Sequence, residues 1–184
     1  MKGQERFKRT IPIIGMLIFI VVAVIGMINE SVNITELITR LILVGTILTL
    51  VAYIFNVYYE PTLFSRNLHL MYWTFVLVGF IPSVFLLPFN AYILPLLLTT
   101  ALISTMIDSK LALMTHFVIS FLLLMIVALP LEIYMMYVVA GLFINYVMPY
   151  VKKRQQIVYV AISTTLLMML LVVVGHLMQF GHLL

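Results

Sequence analysis

The chain holds no cysteine, and only 9% of its 184 residues are charged. Without cysteine, disulfides, thiolate metal sites and cysteine nucleophiles are excluded. The shortage of charge excludes an ordinary soluble domain, in which roughly a quarter of residues are charged and about half are apolar. Here 65% are hydrophobic and the mean hydropathy is +1.24. A chain of this composition could not hide its apolar surface in one core in water, so its solvent is the bilayer.

Several chemistries are missing as well. Neither H-E-x-x-H nor G-x-S-x-G occurs, there is no P-loop, and no carboxylates pair at a useful spacing. His69, His176 and His182 are scattered, so no metal site or other cofactor is expected. The last apolar run has no lysine for a retinal Schiff base. The chain therefore reads as non-enzymatic. Its net charge of +4 does not point to nucleic acid, because the basic residues sit in short clusters between apolar runs. That is how topology signals look.

What is present is a series of long apolar runs. Peptide groups in hydrocarbon must be bonded internally, which leaves helices or closed barrels. Barrel strands alternate apolar and polar residues; these runs are continuous and close to the roughly 20 residues a helix needs to cross. The expected fold is an all-α, polytopic transmembrane bundle of about seven helices, forming a single domain. A basic cytoplasmic arm, 1–10, precedes spans at about 11–28, 41–59, 70–88, 91–107, 111–129, 133–151 and 157–174. Lys2, Arg6, Lys8 and Arg9 before the first run resemble a signal peptide, but no A-x-A site follows, so the run is read as a retained anchor. Pro88-Phe89-Asn90, Asp108-Ser109-Lys110 and Leu129-Pro130-Leu131-Glu132 supply short turns, and Glu60-Pro61 opens the longest internal loop.

The positive-inside rule sets the orientation. A cytoplasmic N-terminus places nine basic residues inside and only Arg40, near Glu36, outside. Seven spans then leave His176 to Leu184 outside. Tyr58, Tyr59, Tyr72, Trp73, Tyr92, Tyr134 and Tyr150 fall near span ends, where amphipathic rings favour the headgroup level.

Thr99, Thr100, Ser104, Thr105 and Asp108 make the fourth span the most polar. Spacing of four puts Thr100, Ser104 and Asp108 on one helical face. They could line a cavity, or their hydroxyls could bond within the bundle; Asp108-Ser109 before an apolar run is also N-cap chemistry. His116 lies inside the fifth span, where an ionisable group is a functional candidate because it is costly there. Asn145, and Ser163, Thr164 and Thr165, fit interhelical hydrogen bonding. Gly15, Gly26, Gly45, Gly79 and Gly141 are isolated and form no GxxxG, while Pro82 and Pro95 inside spans are expected to kink helices. Lys152, Lys153 and Arg154 are expected against anionic headgroups or a partner.

Four further pieces carry a resemblance. Tyr59-Glu60-Pro61 is followed by Ser65-Arg66-Asn67-Leu68. Tyr92-Ile93-Leu94-Pro95 leads to Ala101-Leu102-Ile103. Ile107-Asp108-Ser109-Lys110-Leu111-Ala112-Leu113 forms a tight hairpin sequence, and Glu132-Ile133-Tyr134 precedes Val151-Lys152-Lys153-Arg154-Gln155-Gln156. In this order they resemble the membrane module of the bacterial seven-transmembrane HD phosphohydrolases, over about three quarters of the chain. The resemblance implies a relay that joins an extracellular domain, through a membrane bundle, to a cytoplasmic HD domain hydrolysing cyclic di-AMP with metals. Only Asn29–Glu36 separates the first two spans, and no His-Asp metal motif occurs, so hydrolysis is carried to no residue here. The expectation is a sensor or signal-relay module in a bacterial plasma membrane, holding a lipid or small apolar ligand between helices. The alternatives are a small-solute permease component and an accessory subunit of a larger membrane complex. Membrane lipids, and another membrane protein subunit, are the partners so implied; nucleic acid is not.

Overall fold

The computed structural model describes residues 2–29, 33–54, 66–90, 95–127 and 129–181, with side chains over 14–28, 33–49, 67–90, 95–127, 129–153 and 155–175. Tyr58, Tyr59, Tyr92, the Glu60-Pro61 loop and His182 lie outside the described residues, as do the side chains of the basic arm, Arg66, Arg154 and His176. The described chain is helical throughout: α1 (Lys2–Asn29), α2 (Ile34–Ile54), α3 (Arg66–Leu86), α4 (Pro95–Met106), α5 (Ser109–Val127), α6 (Leu131–Val147) and α7 (Arg154–Gly181), with a 3-10 turn at Met148–Tyr150. Among the described residues four helices are long and apolar enough to cross a membrane: Asn67–Leu86, Ser109–Val127, Leu131–Tyr150 and Gln155–Gly175. Ile14–Ile28 and Pro95–Met106 are shorter apolar helices.

Local chemistry sets the helix ends. Asp108 caps α5, its Oδ1 accepting the Leu111 amide at 2.8 Å. Pro149 lacks the amide needed to continue α6, which tightens into the 3-10 turn. Gln156, in the first turn of α7, reaches back to accept the amides of Lys152 and Lys153 at 2.7 and 2.9 Å. Pro95 is the first described residue of α4, where a missing amide costs no helical bond. Pro82 does lie inside α3. Helix α2 begins at Ile34, so Glu36 and Arg40 sit on it one turn apart, not in a connection, and pair at 2.6 Å.

Helix α5 is the centre of the bundle and touches α1, α2, α3, α4 and α6. The main core joins it to α1 and α3, with Phe19 stacked on Phe80 at 3.8 Å and Met27, Val84, Leu122 and Ile126 buried in the same cluster. Gly15 of α1 admits the Trp73 ring, and Gly26 admits Val84 and Ile126. These contacts rise together along both chains, so α1 runs parallel to α3 and α5. A smaller core of Leu97, Met136, Ala140, Ile144, Met148, Val160 and Met168 holds α4, α6 and α7 together. Only 17% of the apolar window of α7 is buried, against 56% for α5, so α7 is a peripheral helix. The outward faces carry Leu166, Leu170, Tyr159 and Val173, an apolar exterior suited to acyl chains.

The alternating course gives the bundle two unlike ends. One holds the start of α1, the Asp108 turn, Lys110, Lys152 and Lys153; the other holds Glu36, Arg40 and Glu132. Arg40 also donates to the Met125 carbonyl at 3.1 Å, in the last turn of α5, where a cation meets the negative end of the helix dipole. Tyr72 departs from the aromatic-belt expectation. It is buried, and its hydroxyl donates to Thr115 Oγ1 at 3.0 Å while Thr115 donates to Leu111. A buried acceptor one helix away is a better partner for this ring than the headgroup layer.

The contact between α3 and α4 depends on Gly79, where an added Cβ would collide with Thr99. Gly79→Ala is therefore expected to destabilise the bundle by about 1–3 kcal/mol, a typical overpacking cost. Unfolding in detergent measures it; an unchanged midpoint would mean that the two helices do not meet there.

Candidate functional site

The polar residues expected on one face of the fourth span divide between two tasks. Thr100 and Ser104 are buried on α4, facing α5 and α6, whereas Asp108 leaves that face to cap α5. Ser104 Oγ lies 3.5 Å from the Asn145 carbonyl oxygen, and Ser109 Oγ lies 3.4 Å from Asn145 Oδ1. Asn145 thus meets both arms of the α4–α5 hairpin. Thr105 faces outward and bonds the Ala101 carbonyl of its own helix at 2.8 Å. Thr164 and Thr165 do the same with Val160 and Ala161 at 2.7 and 2.9 Å. The interhelical hydrogen bonding expected for these two threonines is corrected: each hydroxyl is taken up by the carbonyl one turn back on its own helix.

His116 is the focus. Its ring is 1% exposed on the central helix. Nδ1 lies 2.7 Å from Thr100 Oγ1 on α4, and Nε2 lies 2.9 Å from the Tyr137 carbonyl on α6. One imidazole therefore joins three helices. Two further polar atoms complete the setting: Ser120 Oγ is 3.4 Å from Nε2, and Thr100 Oγ1 is 3.1 Å from the Leu96 carbonyl.

A carbonyl can only accept, so the Tyr137 contact requires a proton on Nε2, and Thr100 then donates to Nδ1. Both ring nitrogens are then satisfied, as a buried imidazole needs. The other tautomer would set the Nε2 lone pair against the Tyr137 carbonyl oxygen at 2.9 Å, so this packing selects the proton on Nε2.

Gly141 makes the site possible. A side chain at position i+4 of a helix covers the carbonyl of residue i, because side chains lean toward the N-terminus. At Gly141, four residues beyond Tyr137, that cover is missing, and a Cβ built there would enter the His116 ring. The α3–α4 contact repeats the device. Gly79 lies four residues beyond Phe75, and Thr99 Oγ1 donates to the Phe75 carbonyl at 2.9 Å.

Sequence reasoning picks out His116, Thr100, Ser104 and Asn145; it notes Gly141 only as an isolated glycine and misses Tyr137 and Ser120. A glycine inside an otherwise unbroken apolar run was the available signal for Gly141. The role of Tyr137 is played by its backbone, which no side-chain pattern announces. Among the described residues no three His, Asp or Glu side chains gather as metal ligands. His69 is buried on α3, and its Nδ1 has no partner among the described residues.

The joint predicts a non-additive pair. Gly141→Ala is expected to cost about 1–3 kcal/mol by overpacking, and His116→Ala a similar amount by leaving a cavity and unpaired groups. The double variant should recover at least about 1 kcal/mol relative to the sum, because the methyl then occupies space the ring has left. Unfolding midpoints of the four proteins in one detergent test this, and strict additivity would separate Gly141 from His116.

Comparison with known proteins agrees with the helical architecture. No curated protein and no solved structure matches the chain. A family model, described as 7TM receptor with intracellular HD hydrolase, matches residues 34–184. The match takes in α2 to α7, and with them Thr100, His116, Gly141 and Asn145. The chain belongs to this family of seven-transmembrane receptors with an intracellular HD hydrolase.

Proposed function

We propose that this chain is a non-enzymatic sensor and relay module of a bacterial plasma membrane, in which the His116 joint couples α4, α5 and α6. The family supports a receptor-like role in the membrane. The observation that carries the relay reading is the joint itself: a buried ring on α5 whose two nitrogens bond α4 and α6.

The energies suit a switch. Interhelical hydrogen bonds in a bilayer average about 0.6 kcal/mol each, so the two main His116 bonds total roughly 1 kcal/mol. Coupling between allosteric sites is typically about 1–3 kcal/mol. A joint of this strength holds one packing at rest and yields to a modest bias, whereas a strong ion pair would lock it. The charge arrangement supports an orientation with Lys110, Lys152 and Lys153 in the cytoplasm. In that orientation the start of α1 is also cytoplasmic.

The cavities favour this reading over permeation. Thr105, Thr164 and Thr165 satisfy themselves within their helices, and the groove beside α7 is apolar. A route for a polar solute would need free hydroxyls along it.

The chain has no native cysteine, so an introduced pair can be spin-labelled uniquely. Labels at Met106 and Tyr146, both exposed, report the separation of α4 and α6. In lipid vesicles, His116→Phe is expected to shift or broaden the measured distance distribution relative to the unsubstituted pair. An unaltered distribution would remove His116 from the coupling. Solute flux through vesicles containing the native chain would assign permeation instead, and copurification with one stoichiometric membrane protein would assign the accessory role.

A further inference from the structure

Beside α7 lies an apolar groove of about 950 Å³. Its walls are Leu97, Leu98 and Ala101 of α4, Met136 and Ile144 of α6 with Met148 beyond it, and the face of α7 from Ile157 to Val173. We propose that this groove, with Lys152 and Lys153 at its mouth, is a binding site for one anionic glycerophospholipid. The acyl chain lies in the groove and the headgroup phosphate meets the lysines. This goes beyond the relay reading and does not depend on it.

Three observations select the occupant. First, the groove offers nothing to a polar solute. Its two threonines, Thr164 and Thr165, donate to the Val160 and Ala161 carbonyls of their own helix. The remaining lining is hydrocarbon and thioether, and Met136, Met148, Met168 and Met169 provide the adaptable surface that a flexible chain needs.

Second, the length suits an acyl chain. From Ile157 to Val173 the groove follows α7 for ~24 Å at the helical rise of 1.5 Å per residue. That is longer than one leaflet, about half of a ~30 Å hydrocarbon core. It can therefore take a whole acyl chain starting at the headgroup layer.

Third, the charge at one end is complementary to phosphate. Met148 and Ile157, at the end of the lining, flank the turn that carries Lys152 and Lys153. The backbone amides of both lysines are held by Gln156, which fixes the turn, and both side chains are exposed. Among the described residues neither lysine is in an ion pair. Exposed Tyr146 and Tyr150 lie 6.0 Å apart with their rings tilted, beside the same turn, where amphipathic rings favour the headgroup level.

The test uses the purified full-length chain, equilibrated in detergent with equal amounts of dioleoyl phosphatidylglycerol and dioleoyl phosphatidylcholine and examined by native mass spectrometry. The native chain is expected to retain one phosphatidylglycerol, with a preference on the order of tenfold for two cations near the anion. Lys152→Gln with Lys153→Gln should reduce the preference to within about twofold, whereas Lys110→Gln, on another turn at the same end, should leave it intact. Ala161→Phe places a ring in the groove and should abolish retention of both lipids. Thr165→Phe serves if that variant is not monodisperse. Equal retention of the two lipids by the native chain would overturn the proposal. So would a preference that survives loss of both lysines, one lost equally with Lys110→Gln, or retention that survives the groove-filling ring. A stable dimer that excludes lipid would assign the groove to a second copy.

Discussion

A helix in hydrocarbon commits its peptide groups to itself, so a neighbour can bond its backbone only where a carbonyl has been left bare. This constraint decides where the helices of this bundle are tied. Thr99 reaches the Phe75 carbonyl because Gly79 does not cover it, and His116 reaches the Tyr137 carbonyl because Gly141 does not cover it. Ser104 approaches the Asn145 carbonyl, whose partner four residues on is Pro149 and has no amide to give. Arg40 donates to Met125, in the last turn of α5, where helical donors run out. Glycine, proline and a helix end are three ways to expose the same acceptor.

The two cores differ in a way that bears on coupling. The α1–α3–α5 core interlocks by stacked rings and by Gly15 and Gly26, which let large side chains reach the opposing backbone. The α4–α6–α7 core is smaller and methionine-rich, and its outermost helix is largely open to its surroundings. His116 stands on the shared central helix and bonds outward to α4 and α6. It thus lies between a rigid half and an adaptable one, and a bias on α4 or α6 meets weak bonds before it meets tight packing.

How much of this was legible depends on whether the information is local. Apolar runs and the charge clusters between them mark the helices, and Asp108 before an apolar run marks the cap that it forms. Spacing of four puts Thr100 and Ser104 on one face, and both are buried there. The same spacing includes Asp108, whose own helix-starting role turns it away. Tyr72 near a span start reads as a headgroup ring until Thr115 of another helix is known to face it. Thr164 and Thr165 read as glue for the mirror-image reason: nothing in their spacing says that each hydroxyl will bond the carbonyl one turn back. Gly141 is the hardest case, because what matters is the carbonyl four residues earlier and an imidazole on a different helix.

That last dependence also explains how the bundle fixes its register. Apolar helix faces in lipid gain little from one alignment over another, since acyl chains are as apolar as leucine. A slip of α6 by one residue would bring Leu142 where Gly141 stands and offer His116 a carbonyl covered by a side chain. The ring would then lose its α6 partner while remaining buried, a penalty larger than the bond it makes in the correct register. A weak bond can therefore be an exacting one. The His116 joint contributes little to holding the helices together and a great deal to deciding which alignment they hold.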